Sequence, residues 1–131
     1  MGEIDSGGSP MQHVQWLNAR IWRLRKEGDF VEAIRLAREV CDFICDAGGA
    51  ESVVYAQALG SRGRLLQDAG LFDEAEADLV DAVKLQRRLV VNPDADLVAL
   101  LRGLAVLHRG QQHFTEARKL FEEIVGILRD L

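Results

Sequence analysis

The sequence predicts an all-α fold of three stacked helix-turn-helix repeats wound into a right-handed superhelix. Three observations carry this expectation. Ala33, Ala75 and Ala117 stand 42 positions apart, each with a phenylalanine three residues before it (Phe30, Phe72, Phe114) and a glutamate one residue before it (Glu32, Glu74, Glu116). Equal spacing along a chain is the mark of a repeat architecture. Each unit also holds two successive stretches with apolar residues at helical spacing, and no segment alternates with the period of two that a strand requires.

The helices are expected at about 10–27, 30–47, 51–69, 72–91, 94–110 and 114–130. In the first, Val14, Leu17, Ile21 and Leu24 form one apolar stripe. Ser9-Pro10 with Gln12 reads as a capping box with proline in the first turn. After Gly28 the stripe restarts with Phe30, Ala33, Ala37, Val40, Cys41 and Ile44, and Asp29 with Glu32 forms a second box. The second unit repeats the scheme with Leu59, Gly63 and Leu66, then Phe72, Ala75, Leu79, Ala82 and Val83. The third has Leu97, Leu101, Leu104 and Ala105, then Phe114, Ala117, Phe121, Ile124 and Leu128. The turn-rich stretches "DAGGAE" and "VNPDAD" separate the units, giving repeats of about 11–47, 51–91 and 94–131. The glutamates before the alanines fall in the first turn of each second helix, where the helix dipole favours negative charge. Antiparallel helices joined by a tight turn come closest near that turn. A small alanine permits the approach, and the aromatic before it is expected to fill the adjoining wedge.

Residues 1–8 are small and polar and read as a flexible leader; 9–131 form a single domain. The 131 residues are 48% hydrophobic and 28% charged, a globular balance, with a net charge of -5 that argues against a nucleic-acid partner. No apolar run nears the roughly 20 residues of a membrane helix, and the N-terminus lacks a secretory signal. A cytoplasmic location and no membrane partner are therefore expected.

The segment "GLFDEAEADLVDAVKLQRRLVVNPDADLVALLRGLAVLHRGQQHFTEA" combines a glycine-aromatic-acid-Glu-Ala turn, a long second helix, a Pro-Asp joint and a leucine-rich first helix. In this it resembles the tetratricopeptide repeat family, and the 42-residue period is similar to the long-helix variant typified by kinesin light chains rather than to the usual 34-residue unit. The likeness covers residues 11–131. Two positions depart from the pattern: Gln112 stands where the turn glycine belongs, and His108 where a large aromatic is preferred. The resemblance implies a non-catalytic scaffold that holds a peptide in a concave groove lined by the first helices. It assigns to that groove Gln15, Asn18, Trp22 and Arg25, then Gln57, Gly60, Arg64 and Gln67, then Ala99, Arg102, Val106 and Arg109. The carboxylate clamp of chaperone-binding members is not reproduced: Asn18 matches one of its positions, whereas Trp22, Ser61, Ala99 and Gly103 do not supply the others.

The candidate ligand-binding residues are Asn18, Trp22, Arg25, Arg64, Gln67, Arg102 and Arg109. Four arginines without an acid among them suit an acidic or C-terminal carboxylate ligand, because guanidinium donors are planar and bidentate; solvated surface charges are an equal alternative. Trp22 reads either as an aromatic anchor or as cover for the end of the stack. Cys41 and Cys45 lie one turn apart, but a structural metal site needs four convergent ligands, so no metal is expected. His108 is expected on a core face, and His113 as a cap of the last helix. No phosphate loop or catalytic motif occurs, so neither enzymatic activity nor a cofactor is expected. The apolar arc of the last helix is too wide for one neighbour. Ile127, Leu128 and Leu131 are expected to face outward and to support a homodimer. The function class is a protein-interaction module for a peptide or protein segment. The alternative is an assembly segment of a larger protein acting through its repeat ends.

Overall fold

The computed structural model describes residues 10–131. The expected leader at 1–8, and the Ser9 half of the first capping box, lie outside the described residues. Among the described residues there are six helices and no strand: α1 (Pro10–Lys26), α2 (Phe30–Asp46), α3 (Val53–Asp68), α4 (Phe72–Leu89), α5 (Ala95–Gly110) and α6 (Phe114–Asp130). Each helix packs on its neighbours in sequence, and α3 also meets α5. This is a repeat superhelix, with α1, α3 and α5 as first helices and α2, α4 and α6 as second helices.

The turn inside each hairpin is built the same way three times. The Asp29 N–H donates to the Leu24 carbonyl at 2.9 Å, Leu71 to Leu66 at 2.8 Å and His113 to His108 at 2.8 Å. This long return bond closes a helix C-terminus around one residue in the left-handed conformation. Gly28 and Gly70 supply that residue at φ +80° and +82°. In the third turn Gln112 adopts φ 66°, so the missing glycine changes the cost of the turn and leaves its shape intact. The Asp29 carboxylate accepts from the Glu32 N–H, but the reciprocal half of that box is absent because Glu32 instead pairs with Arg35. Between units, Ser52 and Asp94 cap α3 and α5 by accepting from Tyr55 and Leu97.

Packing explains the repeated alanine. Ala33 and Ala75 are fully buried and Ala117 nearly so. A side chain added to Gly63 would come within 3.3 Å of the Ala75 carbonyl oxygen, so α3 and α4 touch almost backbone to backbone. The repeated aromatics behave differently from one another. Phe30 packs on the core, whereas Phe72 and Phe114 are exposed, so the wedge is filled only in the first unit. Two apolar clusters run along the stack: one centred on Leu17, Leu65 and Leu79, the other on Leu59, Leu101 and Ile124.

A part-buried ion pair ties the middle unit together. Arg62 grips Asp78 through both guanidinium arms at 2.7 and 2.9 Å, and Asp78 is buried against the core. On the outer side, Arg38–Glu74 and Arg87–Glu123 join successive second helices at 3.2 and 2.7 Å. These are exposed and stabilise little.

Ala75→Leu should overpack the α3–α4 crossing and cost about 1–3 kcal/mol. Ala77→Leu, on the exposed side of the same helix, should stay within about 0.5 kcal/mol. Chemical denaturation of both variants checks this; equal losses would mean that Ala75 is not at a tight crossing.

Candidate functional site

The first helices line a row of connected cavities. At one end, Met11, Val14, Val54 and Ala58 border a cavity of about 220 Å³ that Gln15 and Asn18 share. Next comes a cavity of about 170 Å³ bounded by Asn18, Trp22, Arg25, Ser61 and Arg64. At the far end Arg25, Arg64, Gln67 and Arg102 meet around a basin of about 210 Å³. The face therefore grades from apolar to basic along its length. The helical repeat sets this up: Arg25, Arg64 and Arg102 come from three consecutive first helices and lie near the ends of α1 and α3 and the middle of α5.

Six of the seven candidate ligand-binding residues line these adjoining cavities. Arg109 does not. It turns toward the last helix, with its guanidinium 5.9 Å from the centre of the Phe121 ring. Gly60 is also not on this face. It is buried, and a side chain there would strike Leu100. Ser61 takes its place. Trp22 is 60% exposed, with the Lys26 ammonium 5.6 Å from its ring centre, whereas Trp16 is partly buried against the core.

The electrostatics distinguish the arginines. Arg25 donates from Nε to Asp68 at 2.8 Å, so the basic end does contain an acid. The sequence offers a signal for it: Asp68 lies four residues beyond Arg64, one turn further along the same helix face. Further along, Gln57 donates to Asp96 at 3.0 Å. Arg64 and Arg102 have no carboxylate partner among the described residues. Burial holds the pKa of Arg64 below the usual arginine value, and the charges of Arg25 and Arg102 lower it further. Arg62, two residues earlier, goes the other way: its bond with Asp78 raises its pKa. One helix thus carries a satisfied guanidinium facing inward and an unsatisfied one facing the cavities.

The remaining candidates do not assemble a chemical centre. Burial pushes the Cys41 thiol up to about 11, which disfavours the thiolate that would ligate a metal or attack a substrate. His108 is buried and its Nδ1 lies 3.4 Å from that of His113. His113 occupies the N-cap position of α6, but its side chain makes no capping bond, contrary to expectation. No group of three or more potential metal ligands occurs among the described residues, and none of their helices is long and apolar enough to cross a membrane.

The last helix needs one correction. Ile127 is not outward-facing; it is 9% exposed and packs in the cluster with Leu97 and Leu101. Leu128 and Leu131 are exposed, as is Val125. At 3.6 residues per turn, Ile127 and Leu128 flank Ile124 on opposite sides, roughly 60° one way and roughly 40° the other; α5 covers the Ile127 side and leaves the Leu128 side open.

Arg64→Met should leave the melting temperature unchanged or raise it, because it removes a half-buried charge hemmed in by two like charges. Arg62→Met should cost about 3–5 kcal/mol, because it strands the Asp78 carboxylate. Thermal melts of the two variants check the contrast; a large loss from Arg64→Met would mean that Arg64 is a structural residue.

Comparisons with known proteins follow the same lines. No curated protein matches the chain. Among solved structures, BtubC (BKLC) from P. vanneervenii superposes with a TM-score of 0.86 at 17% identity, over 96% of this chain and 50% of that one. A putative kinesin light chain with nearly identical TPR-like repeats from Podosopora anserina gives 0.82 at 21% identity, over 91% of this chain and 56% of that one. The chain thus spans about half the length of the solved structures it matches, and at these identities the likeness is one of fold. The sequence profile of the tetratricopeptide repeat matches residues 54–130, which make up more than half of the chain. With three 42-residue hairpins in register, the chain belongs to the tetratricopeptide repeat family, whose members serve in general as protein-interaction modules.

Proposed function

We propose that the first-helix face is a peptide groove and that its ligand is an extended segment with acidic character. The observation that carries this reading is the meeting of Arg25, Arg64 and Arg102 around one basin, with Arg64 and Arg102 unpaired among the described residues. A protein gains no stability from holding Arg64 half-buried beside two like charges, since an unpaired half-buried charge costs free energy. A ligand carboxylate would relieve that cost and gain charge-assisted, bidentate hydrogen bonds. Asn18 and Gln67 add amide donors and acceptors for the ligand backbone, and Trp22 offers an exposed aromatic surface beside Arg25 and Arg64. The mechanism is passive: a preformed face presents fixed donors to a flexible chain.

A second reading, assembly through a repeat end, is favoured by the outer face of α6. Shifting Phe121, Val125 and Leu128 back by 42 positions gives Leu79, Val83 and Gln86 in α4, all three buried beneath the following unit. Another 42 gives Ala37, Cys41 and Ile44, also buried. In α6 Phe121 is half-buried, whereas Val125 and Leu128 stand open, 52% and 53% exposed. A second copy, docked by its own α6 across a two-fold axis, would cover this face on both chains.

For the groove, an Asp/Glu-rich peptide should bind with an affinity that falls as salt rises. The double variant Arg64→Glu, Arg102→Glu should abolish that binding while keeping the helical circular-dichroism spectrum. Undiminished binding to the double variant would remove the arginines from the site.

For the end face, size exclusion with light scattering should give twice the chain mass, and Val125→Lys with Leu128→Lys should return it to one. A single-chain mass for the unaltered protein across the micromolar range would defeat the homodimer.

A further inference from the structure

We propose that the basin shared by Arg25, Arg64 and Arg102 is a phosphate-monoester pocket, and that the segment held in the groove carries a phosphoserine or phosphothreonine there. This rests on the groove reading above and narrows it from acidic segments in general to one dianionic side chain.

The first argument is charge. Three guanidiniums and the Asp68 carboxylate border the basin, which leaves two positive charges in excess. A phosphate monoester carries about −1.5 to −2 near neutral pH, which matches that excess. A single carboxylate would leave one guanidinium uncompensated.

The second argument is the number and direction of donors. A carboxylate is planar and is satisfied by one guanidinium in a two-bond fork. Here the guanidiniums arrive from three separate helices, α1, α3 and α5, and border one cavity. A phosphate monoester presents three terminal oxygens in three directions and so accepts from all three at once. Arg25 spends its Nε–H on Asp68 and keeps its terminal amino groups. Arg64 and Arg102 have no hydrogen-bond partner among the described residues, so the full donor set of each is available. Gln67 adds an amide at the rim.

The third argument is room. Besides the charged groups and Gln67, the basin is lined by Val106 and by Ala99 and Gly103, which carry almost no side chain. Arg64 lies over Gly103: a side chain added there would come within 3.8 Å of the Arg64 Cγ. The volume of about 210 Å³ accommodates a phosphoryl group with its ester oxygen and leaves the peptide backbone above it. The depressed pKa of Arg64, which burial sets first and the charges of Arg25 and Arg102 lower further, agrees, since a dianion in the basin would offset both.

The test uses the full chain and three capped pentapeptides, alanine throughout except for a central phosphoserine, glutamate or serine, with inorganic phosphate as a fourth probe. Binding is followed by NMR on the arginine side-chain Nε–H signals. The phosphoserine peptide should bind about tenfold or more tighter than the glutamate peptide, the equivalent of about 1.4 kcal/mol. Its affinity should drop between pH 7 and pH 5, as the phosphate, with a second pKa near 6, loses its second charge. Arg64→Gln should abolish the preference, while Arg38→Gln on the outer side should not change it. Equal affinity for the glutamate and phosphoserine peptides would overturn the phosphate pocket and leave the acidic groove standing. Failure of both to bind would overturn the two together. Phosphoserine binding that survives Arg64→Gln, or inorganic phosphate binding as tightly as the phosphopeptide, would also overturn it, the former by moving the site and the latter by removing the peptide from it.

Discussion

Each hairpin has more apolar surface than its own two helices can cover, and everything else in the molecule depends on that excess. The inner faces of α1 and α2 close on each other through Leu17, Ala33 and Ala37, yet Val40, Cys41 and Ile44 still require cover. The following unit supplies it, and its own second helix then has the same deficit. Stacking is the way a chain of identical hairpins removes this surface from water. The backbone-close contacts at the alanines set how tightly each hairpin shuts. The repeated turn, with its long return bond and left-handed residue, sets the angle. The shape of the first-helix face follows from these local quantities.

The charge distribution is organised by the same geometry. Second helices stand on the outside, where their acids and arginines pair across units as Arg38–Glu74 and Arg87–Glu123. First helices stand on the cavity side, where arginine prevails although the chain as a whole is acidic. Arg62 and Arg64, two residues apart on α3, show how sharply a helix separates the two roles. One points toward α4 and is locked to Asp78; the other points toward the cavities and has no anionic partner among the described residues. A mildly acidic protein thereby carries a locally basic site.

Much of the fold was legible in the sequence because the repeat reports the same fact three times. The 42-residue step located the turns, the alanine crossings and all six helices to within about two residues at each end. The family assignment rested on the same register. The candidate site was less legible, for reasons of side-chain reach. The family resemblance could place Arg25, Arg64 and Arg102 on the first-helix face, but not tell that Asp68 would reach Arg25 or that Arg109 would lie over Phe121. Those outcomes depend on long side chains choosing among neighbours contributed by other helices. Ile127 failed expectation for a related reason. It sits at the edge of its helix's apolar arc, where a rotation of a few tens of degrees decides between core and solvent.

The nearest-neighbour character of the stack has a consequence for how a bound segment would act. The first and third units are joined chiefly through the second, as in any quasi-one-dimensional array, where stability is a sum of unit and junction terms. Fraying can therefore begin at either end without involving the other. Arg25 belongs to the first unit, Arg64 to the second and Arg102 to the third. An anion gripped by all three would act as a staple across both junctions at once. It would make three separable units open together, so that occupancy of a small basin would be felt as cooperativity along the whole solenoid.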